Sequence, residues 1–80
     1  MTDVTNAMRA EWGRAAQDAF DAEVYLGDAD KVEELSTRIG DLIGDLLHLA
    51  RRDAGVTDLR KLLDDALEMH DTELAEDPEE

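Results

Sequence analysis

The hydrophobic positions between Val32 and Leu49 recur at alternating spacings of three and four residues. This period is typical of an amphipathic helix that packs against partner helices. Ile43, Leu47 and Ala50 widen the stripe on one side beyond what a two-stranded contact needs. The pattern therefore predicts a central, buried helix with the stripe Val32, Leu35, Ile39, Leu42, Leu46 and Leu49.

Local signals place the ends of this central helix near residues 30 and 54. Asp30 followed by Glu33 matches a capping box, in which each side chain bonds a backbone N–H of the first turn. Arg51 and Arg52 stand in the last turn, where cations suit the helix dipole. Gly55 follows as the residue that can take the left-handed conformation which ends many helices.

A first helix is predicted over residues 4–26, with Asp3 or Thr5 as its cap. Trp12 is the largest side chain of its apolar stripe, and we expect it to pack in the core. Tyr25 lies off the stripe and is the better candidate for an exposed aromatic. The stripe consists of Met8, Trp12, Ala15, Ala16, Ala19 and Leu26.

A third helix is predicted over residues 57–75, with Thr57 as its cap. One side is apolar and the opposite side is acidic. Its predicted inner face is Leu59, Leu62, Leu63, Ala66, Leu67, His70 and Leu74, and its acidic strip is Asp64, Asp65, Glu68, Asp71 and Glu76.

Together these patterns predict an all-α domain over residues 1–75, a three-helix antiparallel bundle, followed by an acidic disordered tail over 76–80. A chain of 80 residues without cysteine has a thin core and no disulfide to support it. A homodimer would help it to bury enough apolar surface. Gly40 and Gly44, one turn apart beside the stripe, favour a close contact there, so the predicted oligomer interface is Gly40, Ile43, Gly44 and Leu47.

The formal net charge of −14 argues against direct binding of nucleic acid or an anionic membrane. Residues 56–80 carry ten acids and two bases, more than half of the net charge, whereas an acidic proteome should spread its charge evenly. The start MTDVTNAMRAEW lacks the layout of a signal peptide, so we expect a cytoplasmic protein. A basic protein surface is the partner that this charge favours.

The sequence contains no phosphate loop, nucleophile elbow or Cys/His cluster, so we expect no enzyme, no cofactor and no metal site. A magnesium-dependent nucleotide pyrophosphohydrolase remains an alternative, because all-α members of that class hold magnesium with paired carboxylates. Glu33, Glu34 and Glu68 with Asp71 approach this pattern, but Thr37 stands where its third acid belongs. A self-assembling structural protein is the other alternative.

The segment from Asp41 to Glu73 resembles small acidic helical proteins of actinobacterial phages and mobile elements. It shares their leucine-rich D-L-x-H-x-A helix, glycine turn and second helix ending in acids, at Asp45, Leu46, His48, Ala50, Gly55, Ala66 and Glu73. The resemblance assigns no activity, but it implies an accessory protein that acts on a host or defence component.

The expected function is therefore a non-enzymatic interaction module, a phage or mobile-element inhibitor that engages a basic, DNA-binding protein by mimicking DNA. The predicted partner-binding residues are the acidic strip on the third helix, Asp64, Asp65, Glu68, Asp71 and Glu76.

Overall fold

A computed structural model describes residues 4–26 and 33–76, and it contains three helices in these ranges. They are α1 (Asn6–Val24), α2 (Leu35–Asp53) and α3 (Leu59–Glu76). The predicted all-α, three-helix architecture is confirmed, and α2 contacts both α1 and α3. None of the helices in the described ranges combines the length and apolar composition that a membrane crossing requires.

Two of the predicted helix ends are confirmed by their backbone contacts. Thr5 caps α1, with its Oγ1 accepting a hydrogen bond from the backbone N–H of Met8 at 3.2 Å. Gly55 follows α2 with φ +67°, in the left-handed region that glycine adopts without strain. The backbone N–H groups of Ala54 and Val56 both donate to the carbonyl oxygen of Ala50, so the end of α2 is satisfied by its own chain.

The starts of the other two helices differ from those predicted. α2 begins at Leu35 rather than near residue 30, with Glu34 in an extended conformation as its N-cap and no capping side-chain bond. The backbone N–H of Arg38 donates to the carbonyl oxygen of Glu34 at 3.0 Å, which is the first hydrogen bond of the helix, and the side chain of Arg38 pairs with Asp21 on α1. At α3, Asp58 rather than Thr57 accepts the N–H of Lys61, at 3.0 Å, because a charged acceptor suits the positive end of the dipole better.

Some predictions fall beyond the described ranges. The capping residue Asp30, the turn over 27–30, and Val32 at the start of the stripe all lie outside the described residues, as do residues 77–80 of the predicted tail. Glu76, assigned to that tail by the sequence, is the last residue of α3.

The residues buried in the described part of the chain are polar. They are Asn6, Gln17, Asp21 and Arg38. The expectation that the apolar stripe of α2 forms a buried scaffold is wrong for the single chain, because Ile39 is 42% exposed and Leu46 is 50% exposed.

The prediction that Trp12 packs in the core is wrong as well, since its side chain is 57% exposed. The physical reason lies in the rotation of α1 about its own axis. The helix turns Gln17 and Asp21 toward α2, and residue 12 lies about 140° around the helix from residue 17 at 3.6 residues per turn. The apolar stripe of α1 therefore lies away from α2.

Polar contacts hold the helices to one another. The buried side chain of Arg38 pairs through Nη1 with Oδ2 of Asp21, and Gln17 Nε2 donates to Oδ1 of the same carboxylate at 2.9 Å. We call these three residues the polar junction of α1 and α2. It satisfies both oxygens of a buried carboxylate, as a charge out of water requires.

A second contact joins the start of α1 to the end of α3. Arg9 Nε lies 2.5 Å from Oε2 of Glu73, and Asn6 Nδ2 donates to the carbonyl oxygen of Glu73 at 3.0 Å. Arg9 also donates to Asn6 Oδ1 at 2.8 Å. We call these three residues the terminal clasp. It fixes the position of the last turns of α3 and thereby the orientation of its acidic side.

Candidate functional site

The acidic strip predicted on α3 lies on the surface of the protein. All five of its residues are exposed, and no residue of α3 is buried. Asp64, Glu68 and Asp71 follow one another at spacings of four and three residues, which places their carboxylates on one side of the helix. We call these three the acidic face of α3.

Ion pairs within the chain neutralise the acidic strip only in part. Asp65 Oδ2 pairs with Lys61 Nζ at 2.8 Å, and Asp71 Oδ1 lies 3.1 Å from His70 Nδ1. Within residues 4–26 and 33–76, Asp64, Glu68 and Glu76 have no ion-pair partner. The strip therefore keeps most of its negative charge for solvent or for another molecule.

The acidic face borders a shallow groove on α3 that also contains an apolar centre. The groove is lined by Asp64, Leu67, Glu68, Asp71, Thr72 and Ala75. Leu67 is 60% exposed, so its predicted place on the inner face is wrong. An exposed leucine between carboxylates gives a partner both an apolar contact and a charge pattern to match, which is how the centre and rim of protein interfaces are commonly divided.

The predicted oligomer residues lie along one flank of α2. Ile43 is exposed, while Leu47 and Gly44 are half-buried. A Cβ atom added to Gly40 or Gly44 would meet no atom of the described chain within 4 Å. Within the chain, neither glycine is required for a close approach.

The histidines and the carboxylates weighed for magnesium are dispersed. His48 and His70 are both exposed, and they lie on different helices. In the described ranges no three His, Asp or Glu side chains come together in a group that could hold a metal ion. Glu33 and Glu34 lie before α2, whereas Glu68 and Asp71 belong to α3.

Tyr25 is a structural residue that the sequence analysis assigned to the exposed surface. Its ring is half-buried and meets Phe20 edge to face, with 6.2 Å between ring centroids. Its hydroxyl donates to Oδ2 of Asp41 on α2. That hydrogen bond, together with the nearby negative charge, raises the pKa of Tyr25 to about 12, because ionisation would place a phenolate beside a carboxylate.

The polar junction was also not predicted from the sequence. Gln17 and Asp21 stand four residues apart, a spacing that allows a side-chain hydrogen bond on a helix. The same spacing is common on solvated surfaces, so it does not indicate that Gln17 and Asp21 are buried. The pairing of Asp21 with Arg38 depends on the packing of two helices and has no local signature.

Comparison with known proteins gives no relative from which a role could be transferred: no family model, curated protein or solved structure matches the chain.

Proposed function

We propose that the protein is a non-enzymatic interaction module that engages a basic protein surface through the acidic face of α3. The observation that carries the proposal is the exposure of Asp64, Glu68 and Asp71 around Leu67, with Asp64 and Glu68 lacking an ion-pair partner among the described residues.

Helix formation does not account for these charges. Carboxylates three or four residues apart on a helix repel each other, and Glu76 in the last turn of α3 opposes the helix dipole. A basic partner would relieve this repulsion on binding, and the field of the strip would speed the encounter. The charge arrangement therefore suits recognition better than it suits stability.

The partner that fits best is a surface which itself binds nucleic acid. From Asp64 to Glu76 the strip carries five acids over 13 residues, a rise of about 18 Å along the helix, which is about 4.5 Å between neighbouring charges along the axis. A DNA strand presents one phosphate per about 3.4 Å. The carboxylates of the strip are thus spaced about a third wider than the phosphates of a DNA strand, and one of them, Asp65, is paired with Lys61. This row of negative charge supports the proposal of DNA mimicry toward a host or defence protein.

The test compares two variants with the same change in net charge. In the first, Asp64→Asn, Glu68→Gln and Asp71→Asn neutralise the acidic face. In the matched control, Glu11→Gln, Asp18→Asn and Glu23→Gln neutralise three exposed acids of α1. Circular dichroism establishes that both variants keep the helical content of the wild type.

Each immobilised protein is then exposed to a host lysate, with and without competing duplex DNA. We expect basic proteins retained by the wild type and by the control to fall at least about tenfold on the acidic-face variant. They should elute when salt rises from about 0.1 M to about 1 M, which shortens the Debye length from about 10 Å to about 3 Å. Duplex DNA should displace the same proteins. Equal retention by both variants would show that the acidic face does not bind the partner.

A further inference from the structure

The third helix is half-buried at its two ends and exposed between them. Leu59 at its start and Glu73 in its last turn are half-buried, and every residue from 60 to 72 is exposed. The exposed residues include leucines of the predicted inner face, with Leu62 38% exposed and Leu63 41% exposed. Apolar burial is the main force that holds helices together, so it contributes little to the position of α3.

The two ends of α3 are attached in different ways. At its start the helix is joined to α2 through residues 54–58, which are not helical and which include Gly55 in the left-handed conformation. A few residues at the end of an element commonly serve as a hinge, because they absorb a rotation of the backbone. At its other end α3 is attached to α1 by the terminal clasp, whose pair Arg9–Glu73 is the one ion pair between these helices in the described ranges.

The net charges of α1 and α3 oppose the contact that the clasp makes. Four acids and two bases lie on α1, and six acids and two bases lie on α3, so the two helices repel each other. The side chains of Arg9 and Glu73 are 32% and 27% exposed. An ion pair with this exposure shifts an equilibrium by about fivefold at most. A closed arrangement that depends on such a contact therefore lies close in free energy to an open one.

We propose that α3 is a hinged arm and that the terminal clasp is its latch. In the closed form Glu73 lies against Arg9 and Asn6, as in the structure. In the open form α3 rotates about residues 54–58 and leaves α1, while the polar junction keeps α1 on α2. Asp71 lies about 160° around the helix from Glu73, so the acidic face is exposed in both forms. The inference therefore does not depend on the proposed partner of α3.

The experiment measures the distance from α1 to each of the other two helices. Trp12 on α1 is the one tryptophan of the chain, and the chain has no cysteine. Trp12 thus serves as the fluorescence donor, and an acceptor is attached to one introduced cysteine. Glu76→Cys reports the distance to the end of α3, and Thr37→Cys reports the distance to α2, both at exposed positions. Time-resolved energy transfer resolves the closed and open arms as two distances.

Removing the cation of the latch should open the arm. Arg9→Met should raise the ratio of open to closed arms about fivefold, because Glu73 loses its cation. The matched control is Arg14→Met, which removes the same charge from α1 but breaks an ion pair with Asp18 inside that helix. It should change the ratio less than about twofold.

Exchanging the two charges should close the arm again. Arg9→Glu alone places two carboxylates together and should open the arm further than Arg9→Met does. Combining it with Glu73→Arg restores an ion pair of reversed polarity and should return the ratio to within about twofold of the wild type.

Equal ratios in Arg9→Met and Arg14→Met would overturn the proposal, because the clasp would then not hold the arm. A distance from Trp12 to residue 37 that lengthens together with the distance to residue 76 would also overturn it, since α1 would then leave α2 as well. The reporter at residue 37 thereby distinguishes an open arm from a variant that has unfolded.

Discussion

The polar junction and a groove lined in part by Ile39, Ile43 and Leu46 lie between the same two helices, α1 and α2. They reverse the usual distribution of groups, because the polar side chains are buried and the apolar ones are exposed. At the junction, Arg38 is 3% exposed and Asp21 is 7% exposed. In the groove, Ile43 is 42% exposed. A buried salt bridge adds little net stability, but removing one partner leaves the other charge buried and unpaired, at a large cost in free energy. It therefore disfavours helix arrangements that do not form the pair. The junction thus fixes how α1 meets α2, whereas the groove leaves apolar side chains exposed.

The largest expected effect breaks the junction. Arg38→Met should lower the free energy of unfolding by about 3 kcal/mol or more, because it leaves the carboxylate of Asp21 buried without its cation. Adding Asp21→Leu should recover most of the loss, since no buried charge then remains. Urea unfolding followed by circular dichroism at one fixed chain concentration measures both variants. If Arg38→Met alone lowers the free energy of unfolding by less than about 1 kcal/mol, water reaches the polar junction.

The next effect tests the other side of the comparison. Leu46→Ala should lower stability by about 2 kcal/mol if the groove is covered, and by less than about 0.5 kcal/mol if Leu46 stays exposed. The unfolding midpoint of the wild type should rise with chain concentration, as it does when folding and association are linked. If the unfolding midpoint does not depend on chain concentration and Leu46→Ala loses less than about 0.5 kcal/mol of stability, the groove is exposed to solvent.

A smaller effect separates the groove from the glycine flank of α2. Gly40→Ala should raise the free energy of unfolding by about 0.5–1 kcal/mol, because alanine is the better helix former and the added Cβ meets open space. The mass in solution should not change. A loss of stability or a change in mass would instead place the close contact at Gly40, where the sequence pattern predicted it.

The smallest effect concerns Tyr25 beside the junction. The chain has one tyrosine, so its phenolate absorbance can be titrated without interference from another. The wild type should ionise near pH 12, and Asp41→Asn should move the pKa back toward the ordinary value of 10. Because the folded-state pKa is the higher one, this hydrogen bond supports the fold below about pH 10 and its contribution is lost as the pH rises through 12. An unchanged titration in Asp41→Asn would contradict the assigned hydrogen bond.

The features that sequence reasoning predicted correctly are local ones. Thr5 and Gly55 act on backbone groups within a few residues of themselves, so their roles can be deduced from residue type and position. The number and approximate extent of the helices follow from the apolar period for the same reason. The start of α2 could not be deduced in this way, because no side chain caps it.

The period of the apolar residues could not predict which side chains are buried. Helical spacing shows that Trp12 and Ile39 lie on apolar faces, but it does not show whether those faces are covered. For the candidate site, the period placed Asp64, Glu68 and Asp71 on one exposed side of α3. The partners of Asp65 and Glu73 and the exposure of Leu67 depend on side-chain positions in three dimensions.

The terminal clasp bears on the order in which the molecule comes apart. Its hydrogen bond joins residues 67 positions apart, whereas the junction bond between Asp21 and Arg38 spans 17. Closing the longer loop costs about 1.2 kcal/mol more chain entropy, which is as much as a half-exposed ion pair returns. Amide protons in the final turns of α3 should therefore exchange with solvent before those of α2, and loss of structure should begin where the first and last helices meet.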